Sequence, residues 1–196
     1  AGCDVMDADV DSLHAIANAL MSTGTTAFMA TTMSAPIADI EAALQTVSKM
    51  IGSDTGATCL GVHLEGPFIN PEQCGAHNQQ HCLSPDINLI LDWQKRFDNI
   101  IKLVTISPEL EGAIEFIEQA TARGIVVALG HSLASYEQTQ QAIAAGATHV
   151  THLFNAMTPI HHRKPGMAVA AMVNETVSCE VIFDNVHCHP AMLELA

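Results

Sequence analysis

Positive charge is scarce in this sequence. Its 196 residues carry seven Lys and Arg against 21 Asp and Glu, a formal charge of −14. A surface this acidic repels a phosphate backbone, which excludes sequence-independent nucleic-acid binding. Long hydrophobic runs are missing too. The longest, residues 167–173, falls far short of the roughly 20 residues that span a bilayer, so no membrane association is expected. No basic segment precedes an apolar one at the start, so no signal peptide is expected, and a first residue of Ala1 rather than Met suggests that the natural start lies elsewhere. There is no CxxC pair among the six cysteines and no zinc-ribbon spacing. They are expected to be free thiols, small buried hydrophobes of a cytoplasmic protein. No GxGxxG or GxxxxGK[ST] follows any candidate strand, which removes the usual signal of a nucleotide-binding open sheet.

What remains is apolar and rich in histidine. A hydrophobic fraction of 48% is enough for one sizeable core, and the length favours a single unit spanning residues 1–196. Eleven histidines outnumber Lys and Arg together, and with so many carboxylates that composition suits metal chemistry.

Short apolar runs alternate with helical stretches. Strands are expected at 25–31, 59–65, 100–105, 125–130, 148–153 and 178–183. Helices are expected at 9–23, 36–51, 86–97, 109–123 and 135–145, with another beginning at Pro190; a long loop covers 66–84 and a polar one 155–166. In the second helix Ile37, Ile40, Leu44, Val47 and Ile51 share a face, and Pro36 suits the first turn. Alternation of this kind predicts an α/β fold with a parallel sheet. Polar residues crowd the C-terminal ends of several strands, which favours a (β/α)8 TIM barrel over an open sheet. A complete barrel needs eight units, and about six βα units are legible, so the barrel is expected to be incomplete in this chain.

The strand ends carry the chemistry. Glu65, His131 and His152 each close a strand and are followed at once by turn sequence. Strand alternation groups His63 with Glu65, Val127 and Leu129 with His131, and Val150 with His152. A lone histidine after a strand is more often a cap or a core residue than a ligand. Three ends that converge at one barrel mouth make a plausible three-ligand set for a catalytic divalent metal, Zn²⁺ first and Fe²⁺ as the other acceptable ion.

The surrounding words are more specific. GVHLEGP spans residues 61–67, GAHN 75–78, GHS 130–132, THLFNAM 151–157, HHRKPG 161–166 and DNVH 184–187. In that order and spacing the chain, from GCDVMDAD to HCHP, resembles the N-acetylglucosamine-6-phosphate deacetylases of the amidohydrolase superfamily. The resemblance implies a hydrolase that removes acetate from N-acetyl-D-glucosamine 6-phosphate in amino-sugar catabolism. It matches Glu65, His131 and His152 to the metal ligands, and His77 to the histidine that polarises the acetamide carbonyl. It matches Ala76, His77, Asn155 and Ala156 to substrate contacts. Arg163 and His187 match the grip on the 6-phosphate, which in this family often forms across a homodimer interface. The general acid/base of the family is an Asp at the end of the eighth strand, past Ala196, so residues 1–196 alone are expected to be inactive. Whether one or two ions bind depends on a first strand not seen here. Alternatives are an N-acetylgalactosamine 6-phosphate deacetylase, another amidohydrolase, or a non-catalytic metal-binding remnant.

Other polar residues are expected in blander places. His63 should pack below the metal, and His149 should face the helical layer. His14 and His81 should be solvated, and Lys95 and Arg96 should form an exposed helix face. Asp184 is expected to be an orienting or structural group. His161, His162 and His189 lie near the mouth without an assigned role.

Overall fold

A computed structural model describes residues 2–53 and 55–196. Among the described residues six strands form one sheet, β1 (Ala27–Thr32), β2 (Thr58–Glu65), β3 (Ile101–Ile106), β4 (Val126–Leu129), β5 (His149–Val150) and β6 (Ser178–Cys179). Every neighbouring pair is parallel, and the spatial order is the sequence order. A doubly wound open sheet reverses its strand order at a switch point. No such reversal occurs here, and the helices lie between successive strands, as in the wall of a (β/α)8 barrel.

The helices are α1 (Val10–Ser22), α2 (Ile37–Met50), α3 (Ile87–Arg96), α4 (Ala113–Thr121), α5 (Tyr136–Ala144), α6 (Gly166–Met172) and α7 (Pro190–Leu195). Asp9, Asp86 and Ser135 cap α1, α3 and α5 through side-chain bonds to main-chain N–H groups. In α2 the inward face is Ile40, Ala43, Leu44, Val47 and Met50; the expected end positions Ile37, which opens the helix, and Ile51, one residue past its end, are solvent-exposed instead. The fourth helix begins at Ala113 rather than 109, since residues before it turn to place Glu109 against another loop. Helix α6 forms where the sequence reading assigned no element.

Val62, Leu64, Val104, Ile106, Val127 and Leu129 are fully buried in the core between sheet and helices. The opposite face is polar. His63 Nε2 lies 2.7 Å from Thr105 Oγ1, which lies 2.7 Å from Thr151 Oγ1. A side chain at Gly130 would press on both threonines, at 3.1 Å from each, so that position stays bare. His63 packs into this layer as expected. Ala128, not Leu129, shares this inner face, and the register pairs Ala128 with His149. His149 therefore has the inward parity of Thr151, a correction to the expectation that it faces the helices.

Candidate metal centre and surrounding cleft

Strand alternation predicts the wrong face for two of the three candidate ligands. His131 and His152 carry the outward parity of Leu129 and Val150. Both are brought inward by left-handed backbone immediately past their strands, with φ of 49° and 33°. Ordinary L residues rarely adopt this conformation. The same turn explains why the expected fifth strand, 148–153, is reduced to His149–Val150.

The result is a tight cluster. Glu65 Oε1 lies 3.0 Å from His131 Nε2 and 3.0 Å from His152 Nε2, and the two nitrogens are 2.9 Å apart. His131 Nδ1 lies 2.8 Å from the Gln73 carbonyl oxygen. A carbonyl only accepts, so Nδ1 carries the hydrogen and the neutral ring presents a lone pair at Nε2. That lone pair faces another acceptor, the Glu65 carboxylate. Two acceptors at this distance need a cation between them, and a proton or a metal ion would serve. The three donor atoms could all reach one ion, an arrangement of nitrogen and oxygen donors that fits a divalent metal. Burial would raise the Glu65 carboxyl, but the two imidazoles in contact with it hold it well below the usual carboxylate range. Burial opposes protonation of His152, yet the contact with Glu65 outweighs it and raises that imidazole.

His77 stands beside the cluster with Nε2 3.9 Å from Glu65 Oε2. The Ser34 main-chain N–H donates to His77 Nδ1 at 3.0 Å, and Ser34 Oγ lies 3.1 Å from the same nitrogen. Nδ1 is thus the acceptor, and the hydrogen sits on Nε2, aimed at the cluster. Burial first, and the neighbouring His131 second, push His77 down to about 4. It is a neutral N–H donor at neutral pH. Gly66, at φ 81°, passes so close that a side chain there would collide with Ser34 Oγ.

Two further groups hold the loops. Glu109 accepts from Asn70 Nδ2 at 2.8 Å, Ser132 Oγ at 2.6 Å and the Leu133 N–H at 2.6 Å. Ser107 Oγ donates to the His131 carbonyl at 2.6 Å and accepts the Asn70 N–H at 2.7 Å. Together they clamp the turn that carries His131.

A cavity of about 400 Å³ opens over the cluster. Ala76, Asn155, Ala156 and His187 line it with the four residues just described, as do Met33 and Ile182. Asp184 orients His187: its carboxylate accepts from the ring at 2.6 Å and from the Val186 and His187 N–H groups at 2.9 Å. Those main-chain donors lower Asp184 to about 2. Arg163 is the exception. It is exposed and lines a separate cavity of about 770 Å³ beside Ser135, Tyr136, His161 and Lys164. The structure does not bring it to His187 within one chain.

Sequence reasoning missed Ser34, Ser107 and Glu109. Ser34 follows β1 and so was accessible to the rule that polar residues past strand ends are functional. His14, expected to be solvated, bonds Thr55 Oγ1 at 2.8 Å. Arg96 is not merely solvated, since it pairs with Glu41 at 2.6 and 2.7 Å and with Asp92 at 3.1 Å.

Parallel sheet and strand-end cluster together define a (β/α)8-type barrel protein with a candidate metal centre at the C-terminal ends of its strands. No protein-family model matches the chain. It is 43% identical over its whole length to the N-acetylglucosamine-6-phosphate deacetylase of Vibrio furnissii and 36% identical to that of Bacillus subtilis, covering 49% and 50% of those proteins. The solved N-acetyl-D-glucosamine-6-phosphate deacetylase of Mycobacterium smegmatis superposes with a TM-score of 0.94 at 35% identity, over 99% of this chain and 50% of that one. The chain is similar to these deacetylases over its own length and spans about half the length of the relatives it matches.

Proposed function

We propose that this chain carries the metal-binding and carbonyl-polarising part of a deacetylase that hydrolyses N-acetyl-D-glucosamine 6-phosphate to D-glucosamine 6-phosphate and acetate. The observation that carries the reading is the meeting of Glu65, His131 and His152 beside a His77 whose Nε2–H points at them. The names of the relatives supply the substrate, and a M. smegmatis mutant enzyme, 37% identical, was solved in complex with N-acetyl-D-glucosamine-6-phosphate.

Glu65, His131 and His152 would hold a divalent ion, for which zinc suits the donor set and iron is the second choice. Such an ion, when bound, polarises an amide oxygen and makes hydroxide available near neutral pH. The remaining work falls to residues of the chain. His77, kept neutral, donates Nε2–H to the acetamide oxygen as negative charge develops on it. Ser34 prevents the ring from flipping its tautomer. Asn155, Ala76 and Ala156 border the sugar, and His187, held by Asp184, reaches toward the 6-phosphate. Arg163 lines a different cavity from the one that His187 lines. That placement supports a homodimer in which Arg163 serves the partner's phosphate, where a planar guanidinium suits a phosphate group. The resemblance gives proton transfer to an Asp at the end of an eighth strand, and six strands are present among the described residues. A cytoplasmic location accords with free thiols and a phosphorylated substrate, and no helix is long and apolar enough to cross a membrane among the described residues.

An N-acetylgalactosamine-6-phosphate deacetylase of Escherichia coli O157:H7 is also 35% identical over the whole chain, so the sugar epimer needs its own measurement. The test is acetate release from both epimers by the metal-loaded full-length protein, since residues 1–196 alone are expected to be inactive. Faster release from the glucosamine ester is expected. Preference for the galactosamine ester would overturn the substrate assignment, and release from neither would overturn the reaction.

A further inference from the structure

None of the three candidate ligands lies on β3, yet one side chain of that strand stands beside the chain at all three. Thr105 is fully buried on the inner face. The register sets it opposite Glu65 on one side and Ala128 on the other. Its hydroxyl lies 2.7 Å from the hydroxyl of Thr151, the residue immediately before His152. Its methyl faces Gly130, the residue immediately before His131: a Cβ there would lie 3.1 Å from Thr105 Cγ2 and 3.1 Å from Thr151 Cβ. One threonine thus touches the residue that leads into each histidine turn and pairs in register with the third ligand.

Those turns need enforcement. The φ of 49° at His131 and 33° at His152 is left-handed backbone, which costs an ordinary residue about 1–3 kcal/mol unless its surroundings impose it. At His131 the Ser107 hydroxyl, just past β3, holds the carbonyl at 2.6 Å. At His152 the hold comes through Thr151, which is buried, donates its N–H to the Leu129 carbonyl at 3.0 Å and bonds Thr105 by its hydroxyl. Thr105 is itself fixed, because His63 Nε2 on β2 lies 2.7 Å from its Oγ1. A hydroxyl has one hydrogen and two lone pairs, so Thr105 can donate to one of these neighbours while accepting from the other. The bonds run as a chain from β2 through β3 to the residue just past β5. No role in the reading above requires them.

We propose that Thr105 is a positioning residue for the metal centre: its hydroxyl, seated on His63, holds Thr151 and through it fixes the turn that directs His152 Nε2 at Glu65 and His131. The inference rests on the reading of Glu65, His131 and His152 as metal ligands. It gives the ligand-free β3 a part in the centre.

Co²⁺ titration of the full-length protein, followed by visible absorption, separates the two claims. Thr105→Val keeps the shape of the side chain and removes the hydroxyl. It is expected to weaken Co²⁺ binding about tenfold, the low end of what loss of an outer partner costs a metal site, and to alter the absorption bands, which report how the ion is coordinated. Thr105→Ser keeps the hydroxyl and should retain the wild-type bands and affinity. Thr151→Val cuts the same bond from the other side, leaves Thr105 on His63 and should alter the bands in the same way, so the test stands even where Thr105→Val fails to fold. Thermal unfolding of the metal-free variants records any general loss of structure. A hydroxyl that only supports the fold would lower the metal-free melting temperature and leave the bands of the bound ion unchanged, which would overturn the proposal. A Thr105→Ser protein as impaired as Thr105→Val would also overturn it, since the hydroxyl would not be the acting group. Wild-type affinity and bands in both valine variants, with binding lost in His152→Ala, would overturn it while leaving the ligand reading intact. Wild-type binding in His152→Ala would overturn both.

Discussion

The two halves of the sheet hold their functional residues in different ways. From β1 to β4 the strands are four to eight residues long, and the residues past their ends are tied down by named partners: His77 by Ser34, His131 by Gln73 and Ser107, and the 131–133 turn by Glu109. From β5 onward the strands are two residues long, and the chain exposes Val173, Phe183 and Val186, the last two at 73% and 84%. His187 is exposed there and owes its orientation to a turn made by Asp184. Groups assigned to the reacting amide thus stand on the firmly packed half, and those assigned to the phosphate stand on the looser half. His152 lies on the boundary, in a left-handed turn whose neighbours Val150 and Leu153 bond the main chain of Glu180 just past β6. Chemistry tolerates little misplacement, whereas a phosphate grip can be completed by a neighbouring subunit.

This division can be broken by mutation. The largest effect is expected for His77→Ala, which removes a fixed donor at the developing oxyanion. A loss of about 10²–10³ in kcat with little change in KM is expected. Steady-state kinetics on the metal-loaded full-length protein would check it, and a change confined to KM would move His77 to a binding role. Next comes Glu109→Ala, which unseats three bonds of the firm half. The expected cost is about 3 kcal/mol of stability, from charge-assisted bonds worth roughly 1.5–3 kcal/mol each and not additive. Denaturant unfolding would measure it, and a cost below about 0.5 kcal/mol would show that the clamp does not hold the fold. Arg163→Ala, in the loose half, should raise KM about ten- to a hundredfold and leave kcat nearly unchanged, with no effect on any activity toward the unphosphorylated sugar. Equal losses on both sugars would remove Arg163 from the phosphate. The smallest effect belongs to Glu41→Gln, which leaves the buried Trp93 N–H and exposed Arg96 a weaker acceptor. The Arg96 and Trp93 hydrogen bonds lower the Glu41 carboxyl. A group depressed in the folded state adds stability above its unfolded value near 4.5 and loses it as pH falls through the folded value. The variant should therefore unfold more easily at pH 7 by under about 1 kcal/mol, with the gap to wild type closing in acid. A gap independent of pH would contradict that origin.

Much of this architecture was legible from periodicity. The six strands fall where apolar runs were read, because parallel strands buried by helices need continuous Val, Ile and Leu on at least one face. Glu65, His131 and His152 were found by their position past strand ends, and the structure brings them together. The parity argument for the two histidines fails, since left-handed backbone after a strand is invisible to a period-2 pattern and reverses the side-chain direction. The same local turn shortened the fifth strand. His149 was misassigned for the converse reason, as its parity follows a register that only strand pairing reveals. Ser34, Ser107 and Glu109 act across 23 or more residues of sequence, so no spacing rule marks them. The separation of Arg163 from His187 likewise depends on how one loop is folded.

The central claim is that three strand ends converge to hold one divalent ion. It is tested most directly by Zn²⁺ binding to the protein and to His131→Ala and His152→Ala, by calorimetry with elemental analysis of the dialysed samples. The account predicts stoichiometric zinc in the wild type and a loss of affinity beyond about a hundredfold in each variant, larger than removal of an orienting partner would cause. Unchanged zinc content and affinity in both variants would contradict it.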